Sequence, residues 1–399
     1  MPDLLFLCHR IPYPPNKGDK IRSWHMLKHL AGRYRVHLGC FLDDPDDRRW
    51  IGELNQVCDE VHVTEIEPKA QRLRSLAGLL RGRALTLDYF NDARLAAWVE
   101  RVTAAKRPTF AFAYSSPMAA FVPNGASTVR RRVVDMVDVD SDKWRQYATR
   151  KPWPVSMIYG REARRLLAFE RTVAREFDAT LFSTAREAAL FRELAPESAN
   201  RIDHVNNGVD YDYFSPERDY PNPLPNDRKA IVFTGAMDYW PNIDAVSWFV
   251  REVLPLLKAR GLQVAFYIVG SNPAPEVRKL ANTADVTVTG RVEDVRPYVA
   301  HAAVMVAPLR VARGVQNKVL EGMAMGKPVV ATPEALEGIE AEPGRDVAIA
   351  SDARGFALAI VAALSGRGAA AMGARARAHV VEAYGWAANL ARLDAALDG

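Results

Sequence analysis

The segment RVARGVQNKVLEGMAMGKPVVAT, residues 310–332, sets a glycine, a lysine and a glutamate around one helical turn, ahead of an apolar strand. A helix beginning near Val315 directs unpaired amides and the positive end of its dipole toward the loop that precedes it, and Gly314 lets a ligand approach the backbone closely. That arrangement suits a phosphate. Lys318 falls in the first turn and adds a cation, and Gln316 lies between the loop and the turn. Glu321, three residues on and on the same face, can accept hydrogen bonds from ribose hydroxyls. On spacing alone a second reading stands equally: Lys318 and Glu321 as a surface i,i+3 pair contributing about 0.2–0.5 kcal/mol.

Other strand ends carry similar chemistry. FLCHRIPYPPNKGDKIRSWHML leaves a first strand through His9 and a Pro-rich loop, and reaches Gly18 at a helix start with Lys17, Lys20 and Arg22 close by. FTGAMDYWPN holds Gly235 after one strand, and VTGRVEDVRPY holds Gly290, Arg291 and Val292 after another. VVDMVDVDSDKW closes a strand with Asp138, Asp140 and Lys143, and its DVD has the form of a metal-binding DxD pair. No GxGxxG is present. Asp138 reads either as a positioner of an acceptor or as a loop cap, and His9 either as a cleft residue or as a satisfied structural group.

These residues need strands and helices to position them. In the first half DLLFLC, RVHLGCFL, EVHVTEI, FAFAY, RRVVDMVD and DATLFST alternate with segments of helical period such as IRSWHMLKHLAGR. The stretch YDYFSPERDYPNPLPNDRK, residues 211–229, is too rich in proline and polar residues for regular structure. Alternation then restarts with AIVFTG, VAFYIVG, DVTVTG, AVMVAPL and KPVVAT. The pattern predicts two doubly wound α/β units with parallel sheets, and ligands are expected beyond the carboxyl ends of the strands. The expected division is 1–215 together with a C-terminal helix 385–399 that packs back on the first domain, a linker 216–229, and a second domain 230–384. Asn207, Gly208 and Asp210 are expected at the junction, with the glycine at positive φ.

With 399 residues, 49% apolar and 25% charged, the chain has the profile of a folded two-domain protein and not of a disordered one. Cys8, Cys40 and Cys58 form neither a disulfide framework nor a CxxC pair, which points to a reducing compartment. The N-terminus lacks a signal-peptide pattern, and no apolar run approaches the roughly 18–20 residues that span a bilayer. The net charge of +5 is modest, but KAQRLRSLAGLLRGR (69–83), RRR (130–132) and REARRLL (161–167) cluster it. Such clusters read either as solvated helix faces or as contacts for an anionic partner. They lack the aromatic interleaving of a nucleic-acid surface, so no nucleic-acid partner is expected.

VNNGVDYDYFSP, FTGAMDYWPNIDAV, VTGRVEDVRPYVAHAAVMVAPL and GVQNKVLEGMAMGKPVVAT, in that order, resemble the C-terminal half of GT-B glycosyltransferases of the large retaining group called family 4. YPPNKGDKIRSWHMLKHL and VVDMVDVDSDKWRQYA resemble a subgroup of sugar transferases associated with bacterial exopolysaccharide and PEP-CTERM sorting clusters. The resemblance implies two Rossmann-like domains facing across a cleft. It implies a nucleotide-sugar donor in the second domain, with its diphosphate at Gly314, Val315 and Gln316 and its ribose on Glu321, the last residue of the family's E-x7-E motif. Gly290, Arg291 and Val292 then lie beside the base and Gly235 beside the phosphates, while Gly18 approaches the diphosphate from the first domain.

Two departures accompany the resemblance. Arg313 replaces the first glutamate of E-x7-E, and AMDYWPN lacks the family's cation after the strand, leaving Lys318, Arg310 and Arg313 to supply that charge. The implied reaction is transfer with retention, in which helix amides, Lys318 and Arg313 stabilise the departing nucleoside diphosphate without metal or other cofactor. His9, Asp138, Asp140 and Lys143 face the acceptor, a glycan or a polyprenyl-linked sugar. A cytoplasmic enzyme, peripheral on an anionic inner membrane surface, is the expectation. A sugar-nucleotide epimerase on the same scaffold and a non-catalytic sugar-nucleotide sensor are the alternatives.

Overall fold

The computed structural model describes residues 1–15, 17–76, 78–79, 82–123, 128–149, 151–225, 227–312 and 314–398, apart from the side chain of Arg367. The chain divides into two compact units, Met1–Asn206 with Asn389–Gly399, and Asn207–Ala388. The last turns of the C-terminal helix Trp386–Asp398 therefore belong to the first unit.

The first unit holds a parallel sheet of seven strands: β1 (Asp3–Cys8), β2 (Arg35–Leu42), β3 (Glu60–Glu65), β4 (Phe110–Tyr114), β5 (Arg131–Val137), β6 (Ala179–Phe182) and β7 (Ile202–His204). Their order is β3-β2-β1-β4-β5-β6-β7. The central strand reads DLLFLC without alternation because helices cover both faces of a parallel sheet, and Leu4 through Cys8 are fully buried. The order reverses between β1 and β4, so the loops leaving those strands splay apart and open a crevice at their carboxyl ends. His9 and Ser115 begin those loops.

The second unit repeats the plan with β8 (Lys229–Thr234), β9 (Val264–Val269), β10 (Val286–Gly290), β11 (Val304–Ala307), β12 (Val329–Ala331) and β13 (Ala348–Ile349) in the order β10-β9-β8-β11-β12-β13. Its reversal falls between β8 and β11. The strands that lead to Gly235 and to the Arg310 loop thus flank one crevice. The helix Asn317–Ala324 follows, burying Val319, Leu320, Met323 and Ala324 against the sheet. Gly322 is the point of closest approach, since a Cβ there would lie 3.1 Å from Val329 and 3.2 Å from Met305.

The described residues of 211–228 form neither helix nor strand, as their proline content dictates, and β8 takes up Lys229. The stretch is nevertheless anchored, with Phe214 and Leu224 buried in the core of the second unit, and the unit border falls earlier, at Asn206/Asn207. Gly208 corrects an expectation. It is not at positive φ. A side chain is excluded there because a Cβ would sit 2.8 Å from the Trp386 ring and 2.9 Å from the Tyr384 carbonyl.

Candidate functional site

Two glycines shape the crevice of the second unit. Gly235 leaves β8 at φ +157° and Gly270 leaves β9 at φ +155°. The two loops press so closely that a Cβ on Gly270 would lie 1.7 Å from the Gly235 carbonyl oxygen. A Cβ on Gly235 would in turn lie 2.8 Å from Nδ2 of Asn242, a residue buried in the helix Trp240–Trp248. Asn242 donates from Nδ2 to the Ala236 carbonyl at 2.8 Å, which leaves its Oδ1 pointing to Lys318.

Lys318 occupies the first turn of the helix Asn317–Ala324. Its Nζ donates to Asn242 Oδ1 and to Gln316 Oε1, both at 3.3 Å, and sits 5.2 Å from the centre of the Phe233 ring. Gln316 also donates from Nε2 to the Gly314 carbonyl at 3.2 Å, so one amide ties the loop to the ammonium. Gly314 is at φ +65°, where a side chain would be strained. Val315 packs against the hydrophobic core and fixes the loop from below. The helix begins at Asn317 and not at Val315, because Gln316 is still extended at φ −87°, ψ 97°.

Glu321 lies one turn on, and like Lys318 keeps part of its surface open to solvent. Burial pushes the Lys318 ammonium down to about 8, opposed by the Glu321 carboxylate. Burial likewise pushes Glu321 up to about 7, opposed by Lys318. Among the described residues no ion pair within 4.0 Å joins the two, so each is available to a third group. An ammonium, helix amides and a carboxylate set within two turns can bind a group that is anionic at one end and hydroxylated at the other.

The remaining second-unit candidates are placed differently. Arg310, expected to add charge at the phosphates, is instead engaged by both oxygens of Asp244, its Nε 3.0 Å from Oδ2. Arg313 lies outside the described residues. Gly290, at φ +70°, closes β10, and Arg291 after it is exposed. Val292 lines a shallow groove of about 940 Å³ with Tyr213, Tyr220 and Arg296, whose lining excludes Gly314 through Glu321.

In the first unit, Gly18 is the exposed first residue of the helix Gly18–Ala31. Two cations near it are structural. Lys20 is buried against Asp47 at 2.6 Å, and Arg22 against Asp135 at 2.8 Å and the Val205 carbonyl at 2.6 Å. His9 stacks on Tyr114 with ring centres 5.7 Å apart and faces Asp19 at 3.5 Å, which Arg10 also binds. Burial opposes charge on His9, but Asp19 and the Cys8 side chain outweigh it and push the imidazole up to about 9. Asp19 thus favours the charged form of His9, which a sequence reading of a lone histidine leaves open.

Asp138 accepts a hydrogen bond from Ser183 Oγ at 2.9 Å, and Asp140 pairs with Lys143 at 3.6 Å. Burial raises the Asp140 carboxyl, with Lys143 and His9 opposing and Asp138 reinforcing, so these four charges share one strand-end neighbourhood. Backbone strain marks the same edge. Val137 sits at φ +68° and Ser115 at φ +79°, a region β-branched residues in particular avoid. Fully buried Glu170 receives Ser141 Oγ and N, and burial pushes it up to about 8. Among the described residues no group of three or more His, Cys, Asp or Glu is arranged to hold a metal ion, DVD included.

Residues 228–366 match the family described as glycosyl transferases group 1. No curated protein sequence matches the chain. Its fold is shared with solved structures at low identity. Anabaena Alr3699/HepE, solved with UDP and glucose, superposes with a TM-score of 0.66 at 15% identity, covering 100% of both chains. Sucrose-phosphate synthase from Thermosynechococcus elongatus gives 0.69 at 18%, covering 99% of this chain and 98% of that one. Trehalose 6-phosphate synthase from Burkholderia multivorans gives 0.62 at 13%, with 100% and 98% covered. The crevice around Lys318 and Glu321 therefore lies inside a group 1 glycosyl transferase domain, and the chain that carries it is a glycosyltransferase of GT-B fold.

Proposed function

We propose that the protein is a retaining transferase of family 4 that moves a sugar from a nucleoside-diphosphate donor to a glycan or polyprenyl-linked acceptor in bacterial exopolysaccharide assembly, in the PEP-CTERM-associated subgroup. One observation carries the donor assignment: Lys318, fixed by Asn242 and Gln316 at a helix start, with Gly314 before it and Glu321 a turn beyond. Solved structures of similar fold hold UDP and UDP-glucose, which supports a donor of that chemistry.

The diphosphate takes the amides around Gly314, Val315 and Gln316 together with the Lys318 ammonium, and the Glu321 carboxylate accepts the ribose hydroxyls. Gly235 leaves room beside the phosphates, Gly290, Arg291 and Val292 flank the base, and Arg313 adds charge. Gly18 belongs to the donor-binding set that the family resemblance implies. On the acceptor side, the charged set of His9, Asp138, Asp140 and Lys143 orients the attacking hydroxyl. Attack forms the new bond from the acceptor oxygen to the anomeric carbon on the face the phosphate leaves, the old anomeric carbon–oxygen bond breaks, and the acceptor proton passes to the departing phosphate. Charge that grows on the diphosphate is met by preorganised donors, so the step runs without a metal.

Among the described residues no single helix is long and apolar enough to cross a membrane. We place the enzyme in the cytoplasm, peripheral on the inner face of the membrane that carries its acceptor. The test follows consumption of UDP-glucose and other nucleotide sugars with and without a polyprenyl-linked glycan. Acceptor-dependent release of nucleoside diphosphate supports transfer. Acceptor-independent interconversion of the donor sugar supports an epimerase, and binding without turnover supports a sensor.

A further inference from the structure

We propose that one face of the first unit, built from the helix Pro68–Ser75, the segment through Leu79 and the start of the helix Val155–Glu176, seats the protein on a lipid surface rich in anionic headgroups. The exposed apolar side chains are the first observation. Leu73 is 73% exposed, Trp153 77% and Met157 60%, with Leu76 and Leu79 also exposed. Apart from Met1, every large apolar side chain of the first unit described as exposed is one of these five, with Trp153 just ahead of the helix Val155–Glu176. Arg161 fastens the two segments together, donating to the carbonyls of Gly78 at 2.9 Å, Leu79 at 3.3 Å and Arg83 at 3.1 Å.

Charge selects the occupant. Residues 68–83 carry Lys69, Arg72, Arg74, Arg81 and Arg83 and no acid. Residues 150–165 carry Arg150, Lys151, Arg161, Arg164 and Arg165 against one acid, Glu162. That carboxylate is buried and turned inward onto the amides of Leu85 at 2.6 Å and Thr86 at 2.9 Å, so it does not offset the exposed Arg164 and Arg165. Leucines, a methionine and a tryptophan set among arginines match a bilayer interface. The apolar groups and the indole enter the headgroup boundary, while the guanidinium groups stay at the phosphates.

The inference deepens the reading of a lipid-linked acceptor and rests on it for its purpose, but the test is separate. The full chain is sedimented with vesicles of phosphatidylcholine alone and of phosphatidylcholine with phosphatidylglycerol, at low and at raised salt. The account expects several-fold more protein on the anionic vesicles and loss of that excess in salt. Trp153→Ser combined with Leu73→Ser and Met157→Ser should lower binding about tenfold or more while leaving the circular dichroism spectrum unchanged. Equal binding to both vesicle types, no binding to either, or wild-type binding by the triple variant overturns the proposal. UDP binding, read by calorimetry without vesicles, stands apart: a chain that sediments with lipid and ignores UDP loses the transferase reading and keeps this surface.

Discussion

Asn242 holds Lys318: its Oδ1 accepts from the lysine ammonium at 3.3 Å while its Nδ2 is spent on the Ala236 carbonyl at 2.8 Å. The amide cannot flip without losing both contacts, so the helix Trp240–Trp248 fixes a cation carried by the helix Asn317–Ala324. Asn242→Ala should lower kcat/KM by roughly tenfold, the scale of one hydrogen bond to a charged group at about 1.5 kcal/mol. Asn242→Asp places a carboxylate beside Lys318 and should move the alkaline limb of the pH profile upward, which a merely structural role would not do. Steady-state kinetics across pH checks both.

Lys318 and Glu321 set the pH window. Glu321 gains its carboxylate as pH rises through about 7, and Lys318 loses its ammonium as pH rises through about 8. The form with both charges is therefore most populated between those values, and kcat/KM should trace a narrow bell there. Glu321→Gln should erase the acidic limb and weaken donor binding. Lys318→Ala should erase the alkaline limb and lower kcat by about 100- to 1,000-fold, the range for removal of one donor to a developing anion.

Some of this was legible in sequence and some was not. The parallel sheets followed from strings such as DLLFLC and KPVVAT, because a strand covered on both faces must be apolar throughout. Lys318 and Glu321 stood out because their spacing of three puts them on one helix face. Asn242 did not. It lies 76 residues from Lys318, and only the fold joins them, although the YWPN string at a helix start was a local sign. Trp153 and Met157 escaped for a related reason, since nothing local in WPVSMIYG announces that the helix buries Glu162, Ala163 and Leu166 instead. Arg310 looked free in sequence because nothing local announces Asp244 as its partner.

Gly270 tests the packing of the two strand-end loops. Gly270→Ala would drive a methyl into the Gly235 carbonyl, for which the contact is 1.7 Å. We expect a loss of about 3 kcal/mol in urea unfolding, the upper range for overpacking, with weakened nucleotide binding. Gly52→Ala, where a Cβ meets nothing within 4 Å in the helix Ile51–Val57, serves as the control and should be neutral or slightly stabilising.

Glu170 contributes a pH dependence to the stability of the first unit. Its folded value of about 8 lies above the ordinary 4.5, so the folded chain prefers the protonated acid. The contribution is complete below 4.5 and is lost as pH rises toward 8, where the unfolded chain releases its proton more readily. Glu170→Gln should leave the midpoint of thermal unfolding near pH 4.5 almost unchanged and raise it at pH 8 by several degrees. Scans at the two pH values measure the difference directly.

The central claim concerns where a nucleoside diphosphate docks. A crystal structure of the protein soaked with UDP tests it most directly. The account predicts the diphosphate on the amides beside Gly314, within hydrogen-bond distance of Lys318 Nζ, and the ribose hydroxyls on Glu321. Density for UDP at another strand end, with Lys318 still bound only to Asn242 and Gln316, would contradict it.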